Sequence, residues 1–111
     1  MNNLNSVLIE GNLIENPSRD EMTSGGVRVQ FTIESCRYYN QDNEKKSEVS
    51  RFEIHTWNKT AELCFKALHN GNGVRVVGRM KQVFTTDEYG KEWPRIVVIG
   101  ENVEFKKNLD A

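Results

Sequence analysis

The sequence predicts a mainly β chain, a small barrel of five strands with one helix between the third and the fourth. Three observations carry that prediction. Val27, Val29, Phe31 and Ile33 alternate with Arg28, Gln30, Thr32 and Glu34, a period-two pattern that gives a strand one core face and one wet face. Ala61, Cys64, Phe65 and Leu68 recur instead at helical spacing. Turn signals at Asn16-Pro17, Ser24-Gly25-Gly26 and Thr86 to Gly90 divide the remaining apolar stretches into short segments. At 111 residues the chain suits one domain. We expect it to span residues 1–106, with 107–111 as a short disordered C-terminus. Three strands, a helix and two more strands is the element order of an OB-fold, a five-stranded partly open barrel. An SH3-like barrel would share the alternation but not a three-turn helix at this place.

In chain order, Ser6–Leu13 places Val7, Ile9 and Leu13 on one side of a first strand, with Gly11 where the strand bends or meets another backbone closely. Pro17 fixes its own φ and pushes Asn16 out of the helical region, so the chain reverses there. The alternating second strand follows Gly25-Gly26. Asn40–Ser47 is polar with both signs of charge and reads as a mobile hairpin loop. A third strand from near Glu48 points Phe52, Ile54 and Thr56 one way and Arg51, Glu53, His55 and Trp57 the other. Asn58 is the expected cap of a helix over about 59–70, stopped by Gly71. Val74, Val76 and Met80 alternate with Arg75, Val77, Arg79 and Lys81 in the fourth strand, and the fifth lies near Arg95–Glu101, with Val103 and Phe105 extending it.

Composition narrows the function by exclusion. No run of about 18 apolar residues exists to make a membrane-spanning helix, and the opening Met-Asn-Asn-Leu-Asn-Ser lacks the order of a secretion signal, so a cytoplasmic location is expected. Cys36 and Cys64 belong to no Cys-x-x-Cys or Cys/His cluster, which argues against a disulfide framework or a zinc site. No nucleophile elbow, phosphate-cradling glycine loop or metal-ligand pair is present, so neither an enzyme nor a cofactor is expected. His69 near the helix end is explained by the helix dipole, and Cys64 by burial on the apolar helix face. The net charge of −1 does not announce a phosphate-binding surface. Cations segregated on one face can still serve, because screening limits each charge's reach to roughly 8 Å.

The residues best suited to a task are aromatics and cations on strands, the pairing that unpaired bases and their phosphates require. Trp57 falls on the polar phase of its strand beside His55 and Arg51, where alternation does not bury it; its bland alternative is to curl beneath the helix start. Tyr38 and Tyr39 point to opposite faces, so at least one is accessible. Phe84 lies near the tip of the fourth strand, and Trp93 either stands at the hairpin mouth or folds over the barrel end. Arg75, Arg79 and Lys81 share one phase of a strand, and Arg37 and Arg51 on what we take to be neighbouring strands complete a candidate stripe. Each cation alone reads first as an ordinary solvated surface residue, and only the set together as a stripe. Lys45 and Lys46 can clamp a strand loosely, and Lys106 and Lys107 read as solubilising charges.

Several segments together carry a resemblance. Leu4-Asn5-Ser6-Val7-Leu8-Ile9-Glu10-Gly11-Asn12-Leu13 with Pro17, the Gly25-Gly26 turn, Lys59-Thr60-Ala61-Glu62, Gly73-Val74-Arg75-Val76-Val77-Gly78-Arg79 and the Thr86-Asp87-x-x-Gly90 hairpin resemble, in order and spacing, the bacterial single-stranded DNA-binding protein family over about residues 4–105. The resemblance implies an OB-fold that binds and protects single-stranded DNA in replication, recombination and repair, assembled as a homotetramer or, alternatively, a dimer, with replication and repair proteins as further partners. It implies base stacking at Trp57 and, counted from Gly25-Gly26, at Tyr39. Arg51 falls where the family has a second stacking Trp, and the hairpin aromatic aligns with Phe84 or Thr85, so the chain should depend less on stacking. The family's usual long tail with an acidic tip has no counterpart after Asn108-Leu109-Asp110-Ala111, which suits either a shortened piece or a paralogue or phage-type protein. The rival reading is an OB-fold protein-interaction module of a replication or primosome assembly with marginal DNA binding; an RNA or oligosaccharide ligand rests on fold analogy alone.

Overall fold

The structure is a computed structural model and describes residues 1–106; the tail expected at 107–111, Lys107 included, lies outside the described residues. The elements in chain order are β1 (Val7–Leu13), β2 (Ser18–Glu21), β3 (Val27–Gln41), β4 (Glu44–Trp57), α1 (Asn58–Ala67), β5 (Gly73–Thr86) and β6 (Glu92–Lys106). Strand β1 pairs with β5, β5 with β6, β6 with β4 and β4 with β3, and β3 closes the ring on β1 through Asn12 opposite Glu34 and Leu13 opposite Ile33. Only the β4–β6 contact is parallel, and it is short. The five-stranded OB barrel is therefore present, with its helix between the third and fourth barrel strands. The additional strand, β2, lies along the edge of β3. Its sequence, Ser-Arg-Asp-Glu, contains no apolar residue and so gave no alternation to detect.

The core fills from alternate positions of every barrel strand. Val29, Phe31 and Ile33 of β3 meet Ile54 of β4, Val74 and Val76 of β5 and Val98 of β6, and α1 plugs one end with Ala61 and Cys64, followed by Leu68. Burial pushes the Cys64 thiol up to about 11, so it stays protonated and serves as a small core residue. Phe65, assigned to the same helix face by spacing, is half exposed instead, with the Arg19 guanidinium 5.7 Å from its ring centroid. The helix also starts differently from expectation. Asn58 makes no cap; it adopts a left-handed φ of 54° and its Oδ1 accepts from the Val27 amide at 3.5 Å. The helix ends at Ala67, before Gly71, whose φ of 96° serves the following turn.

Two glycines let the ring close. A Cβ on Gly11 would sit 2.5 Å from the Glu34 carbonyl oxygen, the close backbone approach that the sequence suggests for this position. A Cβ on Gly78 would run into the Ile99 carbonyl, at the register shift between Val77 and Gly78 in the β5–β6 ladder. Past the bulge Met80, in phase with the core residues Val74 and Val76, becomes exposed while its partner Val98 stays in the core, and beyond Lys81 and Val97 the two strands continue as a projecting hairpin. Strands β3 and β4 project likewise. The stretch 40–47 is not a mobile loop but mostly strand: Asn40 pairs with Lys45 and Gln41 with Glu44. Only Asp42 and Asn43 turn, with φ of 51° and 65°, the doubly left-handed geometry that matches the twist of a tight hairpin.

Candidate nucleic-acid interface

One surface of the β3–β4 ladder brings together Tyr38, Arg51 and Trp57 of the residues that the sequence singles out. On the outer face of the β3–β4 ladder, Arg28 lies opposite Trp57, Gln30 opposite His55, Thr32 opposite Glu53, Glu34 opposite Arg51, and Tyr38 opposite Ser47. Since i and i+2 in a strand share a face, Tyr38 and Trp57 mark its two ends. Trp57 is 37% exposed and does not curl beneath α1, although it directly precedes the helix. Tyr38 is 79% exposed. Tyr39 takes the opposite phase with Arg37, whose guanidinium lies 5.0 Å from the Tyr39 centroid. The two tyrosines thus serve different faces of the projecting hairpin.

His55 departs from expectation. Its position on the wet phase of β4 predicts exposure, yet it is only 4% exposed. Strand β6 runs alongside β4 here, with Ile99 opposite His55, and the outward-phase Val97 and Ile99 are buried too. The His55 ring is therefore part of the wall and offers no surface to a ligand. Its Nε2 lies 2.5 Å from Glu53 Oε2, and the other oxygen of Glu53 receives Arg95 of β6, whose Nε donates to Thr85 Oγ1 of β5 at 2.9 Å. Burial pushes the Glu53 carboxyl up; the hydrogen bond with His55 and the charge of Arg95 outweigh that push and hold it below its ordinary value. Sequence reading missed Glu53 and Arg95, because their partnership spans three strands whose adjacency it did not fix.

The cationic stripe does not form as one stripe. Strand β5 neighbours β1 and β6, not β3 or β4, so Arg75 stands on a different part of the barrel from Arg37 and Arg51. Each arginine of the set also faces a carboxylate. Arg75 lies 2.6 Å from Glu10 and 3.3 Å from Glu104, Arg51 is 3.3 Å from Glu34, Arg37 is 3.5 Å from Glu48, and Arg79 is 3.7 Å from Glu101. Lys106, read from sequence as a solubilising charge, shares Glu10 at 2.6 Å. Among the described residues Lys81 has no ion-pair partner; it lies opposite Val97 on the outward phase. Such exposed pairs are worth roughly 0.2–1 kcal/mol each, little enough for a phosphate to take over the cation.

The β5–β6 hairpin displays aromatics on both faces. Phe84, 59% exposed, is opposite Pro94, on the phase of Met80; Trp93, 51% exposed, is opposite Thr85, on the phase of Arg95. Trp93 thus stands at the hairpin mouth and does not fold over the barrel end. A groove of about 960 Å³ beside β1 is lined by Leu8, Glu10, Cys36 and Arg75 among others, and the Arg75–Glu10 pair leaves little free charge to recommend it as a binding site. No group of three or more His, Cys, Asp or Glu among the described residues is placed to hold a metal ion, and no helix there is long and apolar enough to cross a membrane.

Comparison with known proteins identifies the family and the fold. Residues 4–106 match the sequence profile of the Single-strand binding protein family. A single-stranded DNA-binding protein of Aquifex aeolicus is 35% identical over 103 residues, covering 92% of this chain and 69% of that one. Single-stranded DNA-binding protein 2 of Chlorobaculum tepidum is 34% identical over 114 residues, covering 97% of this chain and 77% of its own. The solved structure of a Plasmodium falciparum SSB in complex with ssDNA superposes with a TM-score of 0.87 over 96% of this chain and 98% of that one; at 18% identity this likeness speaks for the fold.

Proposed function

Because the chain belongs to the single-strand binding protein family, we propose that it binds and protects single-stranded DNA without regard to sequence, along the outer face of β4 and the two projecting hairpins. The observation that carries this reading is Trp57, a large aromatic left exposed on a strand whose other face is core. Sequence-independent binding needs flat side chains for bases and cations for phosphates. Trp57, Tyr38, Tyr39 and one aromatic of the β5–β6 hairpin supply the first, and Arg37, Arg51, Arg79 and Lys81 the second. Arg75 is the least favoured of the cations, since two carboxylates hold it. His55 acts through Glu53, keeping the wall in place. The reading extends to a cytoplasmic protein that serves replication, recombination and repair as a homotetramer, with a dimer as the alternative, and that meets proteins of those processes on the DNA. It is a binding protein, with no catalytic group and no cofactor.

The test is tryptophan emission during titration with oligothymidine at several salt concentrations, with duplex DNA as control. We expect quenching by the single strand, none by the duplex, and affinity that falls as salt rises. Absence of binding at low salt, checked by the anisotropy of a labelled oligothymidine, would turn attention to the protein-interaction reading, which the paired cations of this surface also suit.

A further inference from the structure

The register of the β5–β6 hairpin separates its two exposed aromatics. Trp93 and Arg95, two residues apart on β6, share a face, and Arg95 reaches Glu53 on the outer face of β4 that also carries Arg51 and Trp57. Phe84 lies on the other side of the hairpin, against Pro94. Trp93 is also held in place. Its Nε1 donates to Asp87 Oδ2 at 2.9 Å, while Asp87 Oδ1 accepts from the amides of Tyr89 and Lys91, each at 2.9 Å. The Lys91 ammonium covers one side of the indole at 4.1 Å from the ring centroid, and half of the residue remains exposed. A flat ring fixed at its edge, with a cation beside it, has the makings of a platform for one base and its phosphate.

We propose that Trp93, and not Phe84, is the base-stacking residue of this hairpin, with Asp87 as its positioning residue and Lys91 as the adjoining phosphate contact. The assignment rests on the single-stranded DNA reading above and fixes which face of the hairpin the strand follows.

The chain has two tryptophans, so each can be isolated. In Trp57→Phe only Trp93 emits, and in Trp93→Phe only Trp57. Both variants are titrated with oligothymidine, with binding followed independently through the anisotropy of a labelled oligothymidine. Quenching in Trp57→Phe, together with a loss of affinity of roughly five- to hundred-fold in Trp93→Ala and a smaller loss in Phe84→Ala, is expected. Asp87→Ala should weaken binding and raise the mobility of Trp93, seen as lower emission anisotropy in the Trp57→Phe background, and Asp87→Asn should restore part of both. Trp93 emission that does not change while anisotropy reports binding would overturn the assignment and leave the DNA reading standing. No anisotropy change in any variant or in the parent protein would overturn both.

Discussion

The two projecting hairpins are built from the same kind of ladder but joined to the barrel differently. The outer half of β3–β4, beyond about Ser35 and Ser50, is held by its own pairing and by the Arg37–Glu48 contact at 3.5 Å. The outer half of β5–β6 is strapped down twice. Asn5 binds the Met80 backbone from both sides, its Nδ2 donating to the carbonyl at 2.8 Å and its Oδ1 accepting from the amide at 3.0 Å, and Arg95 binds Glu53 across the barrel wall. Two ladders of similar length thus differ in how they are fastened: one relies on its own pairing, while the other is also tied to the chain's start and to the barrel wall. On the proposed reading the fixed hairpin sets where a base lands, and the free one adapts to the path of the strand.

The base of the strapped hairpin is where a change should cost most. Gly78→Ala drives a methyl group into the Ile99 carbonyl at the bulge, and we expect about 3 kcal/mol or more of lost stability by urea unfolding. A loss below about 1 kcal/mol would mean that the bulge is soft and the hairpin less rigidly launched. Next, Trp57→Ala should weaken oligothymidine binding by about 1–3 kcal/mol with the circular dichroism of the fold unchanged. Unchanged affinity in the folded variant removes this end of the face from the site.

Glu53→Gln tests the strap itself. It should cost about 1–2 kcal/mol and speed amide exchange in β5 and β6 beyond Gly78 while leaving the outer half of β3–β4 alone. Acid unfolding supplies a second readout. The Glu53 carboxyl is held below its ordinary value of 4.5 in the folded protein, so its contribution is complete above that pH and drains away as pH falls through the lower folded value. Stability of the parent should therefore fall more steeply than that of Glu53→Gln below about pH 4.5. Equal slopes would show that the carboxylate is not what fastens the hairpin. The smallest effect belongs to the free hairpin: Asn43→Gly, at a φ of 65°, should stabilise by a few tenths of a kcal/mol, read as a slight rise in Tm, and leave the exchange of the β5–β6 hairpin untouched.

The same contrast explains what the sequence revealed. Inside the barrel every strand has one buried face, so Val27 to Ile33 and Gly73 to Val76 announced themselves by alternation. Past the barrel both faces are wet, and the tip of β3–β4 lost its signature and passed for a loop, although Asp42-Asn43 is a recognisable tight-turn pair. The site was legible to the extent that a residue's own strand decided its surroundings, as with Trp57 and Tyr38. His55 was misread because a strand more than 40 residues later, β6, covers it. The cations were found individually, but their carboxylate partners on adjacent strands emerge only from register. Arg95, Glu53 and the face of Trp93 required the same information.

Those partners change what a bound strand would displace. A lone arginine meeting a phosphate releases a cation condensed on the nucleic acid, and this release is what makes binding so sensitive to salt. Here the arginine arrives already neutralised by a tethered glutamate, at Arg51–Glu34, Arg37–Glu48 and Arg79–Glu101. A phosphate that takes the guanidinium must displace that glutamate, so it exchanges one anionic partner for another and gains less than it would from a free cation. On the proposed reading, affinity would still fall as salt rises, with the rings supplying a larger share of the grip than the count of arginines alone suggests.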